Sequence, residues 1–140
     1  MTHQIIFQPQ PTPGIIQRLS LGIAEHAQSK TTHHPIEPYA FLVVDTDNRI
    51  MGGCNGNTGY GWVYVDQLWI DESLRGQGYG TALMQHAENL GKQKKCLAAA
   101  VNTMQWEALE FYKKLGYQVE FERKGLIPNS NFYMLRKDFA

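Results

Sequence analysis

Apolar residues recur along this chain with two different periods, and the change from one to the other marks its elements. Between residues 13 and 28, Ile15, Ile16, Leu19, Ile23 and Ala27 return at the spacing of one helix face. Before that helix, Ile5, Ile6 and Phe7 form a short apolar stretch over 4–9 that Pro9 and Pro11 close, which predicts a first strand. Residues 39–45, 49–55 and 60–70 predict three further strands in succession. They are joined by Asp45-Thr46-Asp47-Asn48 and by the turn-forming run Asn55-Gly56-Asn57-Thr58-Gly59, and connections this short imply antiparallel pairing. In the last of the three, Trp62, Tyr64, Asp66, Leu68 and Ile70 alternate with Val63, Val65, Gln67 and Trp69. Both faces are largely apolar, so a central place is expected.

Further on, Ala82, Leu83, His86, Ala87 and Leu90 outline the buried face of a helix ending near Gly91, and 96–101 reads as a buried strand. A strand, a crossover helix and a strand make a parallel unit. A helix over 104–115 is expected to stop at Gly116, followed by a closing hairpin of 117–122 and 131–136 around Gly125-Leu126-Ile127-Pro128. The segment 29–38, with two prolines and the pair His33-His34, is expected to be a loop. Adjacent histidines on an extended segment point apart and no third ligand is evident, so no metal site is predicted.

Composition narrows the class. A chain of 140 residues, 43% hydrophobic and 19% charged, suits one globular domain spanning 1–140. Its net charge of +0 argues against nucleic acid or an anionic membrane surface as partner. No apolar run approaches the roughly 20 residues that span a bilayer. The start Met1-Thr2-His3-Gln4 lacks a basic region followed by an apolar core, which makes a cytoplasmic protein the expectation. Cys54 and Cys96 have no partner spacing for zinc and read as two buried thiols.

The chemistry gathers in one stretch, Leu68 to Met84. An extended apolar segment runs into Arg75-Gly76-Gln77-Gly78-Tyr79-Gly80-Thr81 and then into a helix. Such a turn brings unpaired backbone N–H groups and the positive end of a helix dipole to one point, which makes an anion cradle. A nucleoside triphosphate loop would need Gly-Lys-Ser/Thr, and Gly80-Thr81 has no preceding lysine. A dinucleotide fingerprint would need glycine where Thr81 stands and an acid about 20 positions further on, which neither Glu88 nor Glu107 provides.

What remains is Arg75-x-x-Gly78-x-Gly80, which resembles the acyl-CoA pyrophosphate loop of the GNAT superfamily of N-acetyltransferases. A second stretch, Ala108-Leu109-Glu110-Phe111-Tyr112-Lys113-Lys114-Leu115-Gly116-Tyr117, is similar to the family's Ala-x-x-x-Tyr-x-x-x-Gly-Phe/Tyr signature. The resemblance runs from about Tyr39 to the C-terminus. It implies an α/β (α+β) fold of three layers: a twisted, mixed but mostly antiparallel sheet of about six to seven strands with three to four helices, its central strands splayed.

The resemblance also implies a cofactor and its holders. Acetyl-CoA would serve as cosubstrate without a metal, with its pantetheine arm between the splayed strands against the main chain of Leu68, Trp69 and Ile70. Its pyrophosphate would lie on the N–H groups from Gly76 to Thr81, past Gln77 and Tyr79, with Arg75 adding charge. Many members carry an asparagine seven residues before the tyrosine; this chain has Gln105 there, with Asn102 three earlier, and either amide is a candidate for the pantetheine.

Tyr112 is expected to protonate the leaving thiolate or to fix the thioester. Asp66 is the candidate general base, its pKa raised in a strand suited to burial; Glu72 and a water chain are the alternatives. Main-chain N–H groups around Ile70 are candidate oxyanion donors. The expected reaction is direct attack of a primary amine in a ternary complex, with a non-catalytic acyl-CoA-binding module as the rival reading. The acceptor, a small molecule or a peptide amine, would meet the first helix, the loop 33–38 and the hairpin near 124–131. Tyr39, Trp62, Trp69 and Trp106 are candidates for an aromatic wall around it. A homodimer through a sheet edge is a further expectation.

Overall fold

A computed structural model describes residues 2–31 and 35–140. Contacts divide the chain into two units, Met1–Pro35 and Ile36–Ala140.

The first unit holds α1, Pro13–Lys30. Thr12 caps it, its Oγ1 accepting from the Ile15 N–H at 3.4 Å, and Pro13 enters where an N–H would have no acceptor. The spacing of its apolar residues thus did predict a helix, although none of its residues is buried. The strand expected over 4–9 is absent. A strand needs a neighbour to take its main-chain groups; here Ile5, Ile6 and Phe7 stand exposed in irregular backbone. His33 and His34 lie outside the described residues.

The second unit is a six-stranded sheet, β1-β2-β3-β4-β6-β5 in spatial order. Its strands are β1 Glu37–Val44, β2 Ile50–Gly59, β3 Trp62–Ile70, β4 Ala98–Met104, β5 Gln118–Ile127 and β6 Ser130–Asp138. Two helices, α2 Tyr79–Gln93 and α3 Leu109–Lys114, share one core with its inner face. Only β3 and β4 pair in parallel, as the crossover through α2 requires. Val63, Val65, Ala99, Val101 and Leu135 meet Leu83, Met84 and Ala87 there, all at most 4% exposed.

The buried face of α2 sits one residue on from the expected one. Leu83, Met84, Ala87, Glu88 and Gly91 point inward while His86 is exposed. Hydrophobicity alone passes over Glu88, which is only 6% exposed yet bonded on both oxygens, by the Tyr117 hydroxyl at 2.8 Å and the Lys137 ammonium at 2.9 Å. A buried carboxylate with both oxygens satisfied ties α2 to the last strands.

Three boundaries differ from those expected. The glycine- and asparagine-rich run 55–59 continues β2, and the turn falls on Tyr60 and Gly61, both at positive φ. The helix expected over 104–115 shrinks to Leu109–Lys114, because Met104 completes β4 opposite Phe132. The last hairpin turns at Pro128 and Asn129, the latter at positive φ, so that of the expected run 125–128 only Pro128 lies in the turn and the rest extends β5.

The most consequential difference is in β3. Asn55 pairs with Gln67 but Gly56 pairs with Val65, so Asp66 is an extra residue, a β-bulge. The bulge shifts the alternation by one position. Leu68 and Ile70, expected to share a face with Trp62 and Tyr64, pack instead against the core beside Val63 and Val65. Gly56 makes room for it: a Cβ there would stand 1.8 Å from the Tyr64 carbonyl oxygen. That displaced carbonyl accepts from the Tyr39 hydroxyl at 2.9 Å.

Candidate active site

The pairing of β3 with β4 runs from Trp62↔Ala98 to Val65↔Val101 and stops at the bulge. Beyond it β3 continues to Ile70 and β4 to Met104 without meeting. The expected splay is therefore present, and it begins where the bulge turns the main chain of β3 away. Between the diverging strands lie main-chain groups of Leu68 and Ile70 on one side and Asn102 on the other, while those of Trp69 turn to β2. Trp69 itself is 50% exposed.

From Ile70 the chain enters a tight loop. The Asp71 N–H donates to the Met51 carbonyl at 2.8 Å, and the Asp71 carboxylate caps the 3-10 turn Glu72–Leu74 through the Ser73 N–H at 3.0 Å. Those bonds from Ser73 hold the Asp71 carboxyl below its ordinary pKa. Arg75 folds back, its Nε donating to the Ile70 carbonyl at 3.0 Å, and the Gln77 amide donates to the Ser73 carbonyl at 3.3 Å. The loop is thus braced from within before it opens α2.

Gly76 and Gly78 take φ +76 and +91, a region L side chains rarely enter, and a Cβ on either would meet no atom within 4 Å. The first bond of α2 is Ala82 N–H to the Gly78 carbonyl at 3.0 Å, and Gly78 brings no capping side chain. The N–H groups of Tyr79, Gly80 and Thr81 therefore have no acceptor within the helix and stand at the positive end of its dipole. Gly80 serves another purpose: a Cβ there would lie 3.3 Å from the Phe111 ring, so α3 packs close against the start of α2.

That packing sets Phe111 against the start of α2 and its neighbour Tyr112 in the core. The ring is 5% exposed, edge-on to Phe111 and Tyr117 with centroids 5.3 and 5.8 Å away. Burial, with Cys54 and Glu107 adding to it, pushes its pKa up to about 12. Its hydroxyl makes no hydrogen bond to any described residue. A phenol that is buried, protonated and unshared is available to a ligand entering the split.

The other expected residues are distributed differently. Asp66 is exposed on the bulge, because the extra residue turns outward where a regular strand would have held it against a neighbour. Asn102 points away from α2, between buried Val101 and Thr103, and its Nδ2 donates to the Tyr64 hydroxyl at 3.0 Å. Gln105 is exposed in the turn before α3, where its N–H donates to the Asn131 carbonyl at 2.9 Å. The two amides thus diverge. Tyr64, which the sequence did not single out, joins Asn102 and Asp66 on the outer face: burial raises its pKa, and the Asp66 carboxylate adds to that rise. Its only signal was a place two residues before Asp66.

Of the aromatic wall, Trp62 and Tyr64 line one cavity, whereas Trp69 and Trp106 stand exposed elsewhere and Tyr39 braces the bulge. Among the described residues no three His, Cys, Asp or Glu side chains gather as metal ligands.

The cradle and the split fit a nucleotide-linked thioester: N–H donors and a helix dipole for its phosphates, two unpaired strand edges for its amide-bearing arm, and a phenol for its sulfur. Comparisons agree with that geometry. The model of the acetyltransferase (GNAT) family matches residues 12–117. A blasticidin-S acetyltransferase of Streptomyces morookaense is 30% identical over 105 residues, 74% of this chain and 77% of that protein. An acetyltransferase of Agrobacterium fabrum is 38% identical over 71 residues, 51% of this chain but only 52% of the relative's own length. A crystal structure of an Agrobacterium tumefaciens protein described as an acetyltransferase superposes with a TM-score of 0.83 at 23% identity, covering 98% of this chain and 100% of that one.

Proposed function

The chain belongs to the acetyltransferase (GNAT) family, and from that premise we propose that it transfers the acetyl group of acetyl-CoA to a primary amine by direct attack in a ternary complex. The observation that carries the reading is the split between β3 and β4, opening beside the bare N-terminus of α2 and the unshared hydroxyl of Tyr112.

In this reading the N–H groups from Gly76 to Thr81 hold the pyrophosphate, and main-chain groups of Leu68 and Ile70 hold the pantetheine amides. Arg75 contributes its remaining guanidinium nitrogens to the phosphates while its Nε stays on the Ile70 carbonyl. Bound acetyl-CoA supplies a thioester carbonyl activated toward nucleophiles. N–H groups near Ile70 stabilise the charge on its oxygen, the amine nitrogen bonds to its carbon, and the carbon–sulfur bond breaks.

Tyr112 donates a hydrogen bond to the departing sulfur. At a pKa of about 12 it sits well above a thiol near 8.5, so complete transfer of its proton would cost about 5 kcal/mol. Hydrogen bonding is therefore its main contribution, and the thiolate takes its final proton from water. The amine's proton leaves through Asp66 or solvent. Among the described residues the buried carboxylate is Glu88, already taken by Tyr117 and Lys137, which favours this exposed route.

The acceptor class follows less directly. The Streptomyces relative, which matches 74% of this chain, is named for blasticidin-S and supports a small amine; relatives that match 40% of it are named peptidyl-lysine N-acetyltransferases and support a peptide amine as the second reading. We place the protein in the cytoplasm, where two free buried thiols, Cys54 and Cys96, stay reduced; no helix among the described residues is long and apolar enough to cross a membrane. A homodimer through the β5 edge, where Val119, Phe121 and Ile127 are exposed, completes the proposal.

Calorimetric titration with acetyl-CoA tests the reading. Micromolar binding is expected for the wild type and none for Gly78→Glu, whose carboxylate would fill the cradle and repel the phosphates. Wild type that fails to bind sinks the transferase, whereas binding without thiol release toward any amine would leave a sensing module.

A further inference from the structure

The outer face of the sheet carries a cavity of about 620 Å³ that the cofactor reading leaves unused. Its floor is β4, where Ala98 and Ala100 present only methyl groups. The neighbouring strands rise on both sides. Trp62 and Tyr64 stand on β3, in register with Ala98 and Ala100, and Met134 and Arg136 stand on β6. Small residues in a central strand between bulky ones make a slot, and a volume in this range suits a small ligand.

The chemistry of the slot changes along its length. At the Ala98 end its walls are the Trp62 ring and apolar stems. At the other end Asn102 and Tyr64 are joined by their 3.0 Å hydrogen bond, and the Asn102 amide oxygen has no partner among the described residues. The exposed Asp66 carboxylate lies beside the Tyr64 hydroxyl. Arg136 does not oppose a cation there, since Asp138 at 2.7 Å and Glu120 at 3.8 Å compensate its guanidinium. This polar end coincides with the last β3–β4 pair, so it opens onto the split from the face opposite Tyr112.

A peptide is the wrong shape for this slot. Its floor strand is paired to β3 on one side and β6 on the other, which leaves no main-chain groups for an extended chain to bond. Recognition must come from ring faces and from the polar end. We propose that the slot is the acceptor site and that it takes a flat aromatic amine, the ring lying on Ala98 and Ala100 against Trp62, the ammonium held by the Asn102 amide oxygen and Asp66. Tyr64 is then a positioning residue, fixing the Asn102 amide so that its oxygen faces the ligand. The inference rests on the transferase reading for the direction of transfer but not for the slot itself.

The test uses phenethylamine and butylamine, equal in charge and differing by a phenyl ring in place of an ethyl group. Calorimetry without acetyl-CoA should show phenethylamine binding at least about tenfold tighter than butylamine, a difference lost in Trp62→Ala. Ala100→Leu, which fills the floor, should abolish phenethylamine binding while acetyl-CoA affinity stays at the wild-type value, which also shows that the variant folds. With acetyl-CoA present, phenethylamine should be acetylated with a KM raised about tenfold by Trp62→Ala. Equal binding of the two amines, or wild-type affinity in both variants, overturns the slot. Failure to bind acetyl-CoA overturns the transferase alone, since the amine titrations still decide the slot.

Discussion

Tyr112 sits within a six-residue helix with its ring packed by Phe111 and Tyr117, yet its oxygen bonds to no described residue. The ring is buried while the oxygen keeps contact with solvent, so the hydroxyl is free to turn to a ligand. Replacing it by phenylalanine removes one oxygen and keeps the packing. A hydrogen bond to a developing thiolate contributes about 1.5–3 kcal/mol, so Tyr112→Phe should lower kcat about tenfold to a hundredfold in a thiol-release assay, with acetyl-CoA affinity unchanged. An unaltered kcat would make Tyr112 a packing residue. The motif that marks this tyrosine was legible in the sequence. The pairing of Tyr64 with Asn102 on the opposite face was not, because those two meet only when strands far apart in sequence become neighbours.

At the scale of elements, the bulge in β3 decides where the site lies. It ends the parallel pairing, reverses which side chains enter the core and leaves Asp66 outside. Gly56 is its counterpart on β2, since the Tyr64 carbonyl occupies the space of a Cβ. Gly56→Ala must therefore straighten β3 or displace β2, at a cost of at least about 3 kcal/mol. Urea denaturation should show that loss. Any variant that still folds should bind acetyl-CoA more weakly, because straightening extends the β3–β4 pairing into the split. A Gly56→Ala protein with wild-type stability would show that the bulge tolerates a side chain.

For the molecule as a whole, two buried tyrosines and the half-buried Tyr39 couple stability to pH. Burial holds Tyr112 at about 12, against 10.0 for a free phenol, and raises Tyr39 and Tyr117 further. Each is neutral in both states below pH 10, so their contribution is complete there. Above it the unfolded chain ionises first and binds fewer protons than the fold, so stability falls as pH rises. For Tyr112 the fall spans pH 10 to about 12 and amounts to roughly 2–3 kcal/mol. Urea midpoints should hold constant up to pH 10 and drop steeply above it, less steeply in Tyr112→Phe. A midpoint flat to pH 12 would mean that the phenols reach solvent.

Local chemistry placed the glycine loop and the crossover helix, and the resemblance to a family motif placed the tyrosine signature, because each depends on residues close in sequence. Gly78 can adopt φ +91 whatever surrounds it, and an amphipathic repeat turns into a helix once any core is offered. What only the tertiary structure decided are matters of pairing. A bulge depends on how two strands fit, so strict alternation misassigned Leu68 and Ile70. Glu88 enters the core because Tyr117 and Lys137 arrive from the far end of the chain to satisfy it. The stretch at 4–9 reads as a strand by its side chains, but a strand exists only where another accepts its hydrogen bonds.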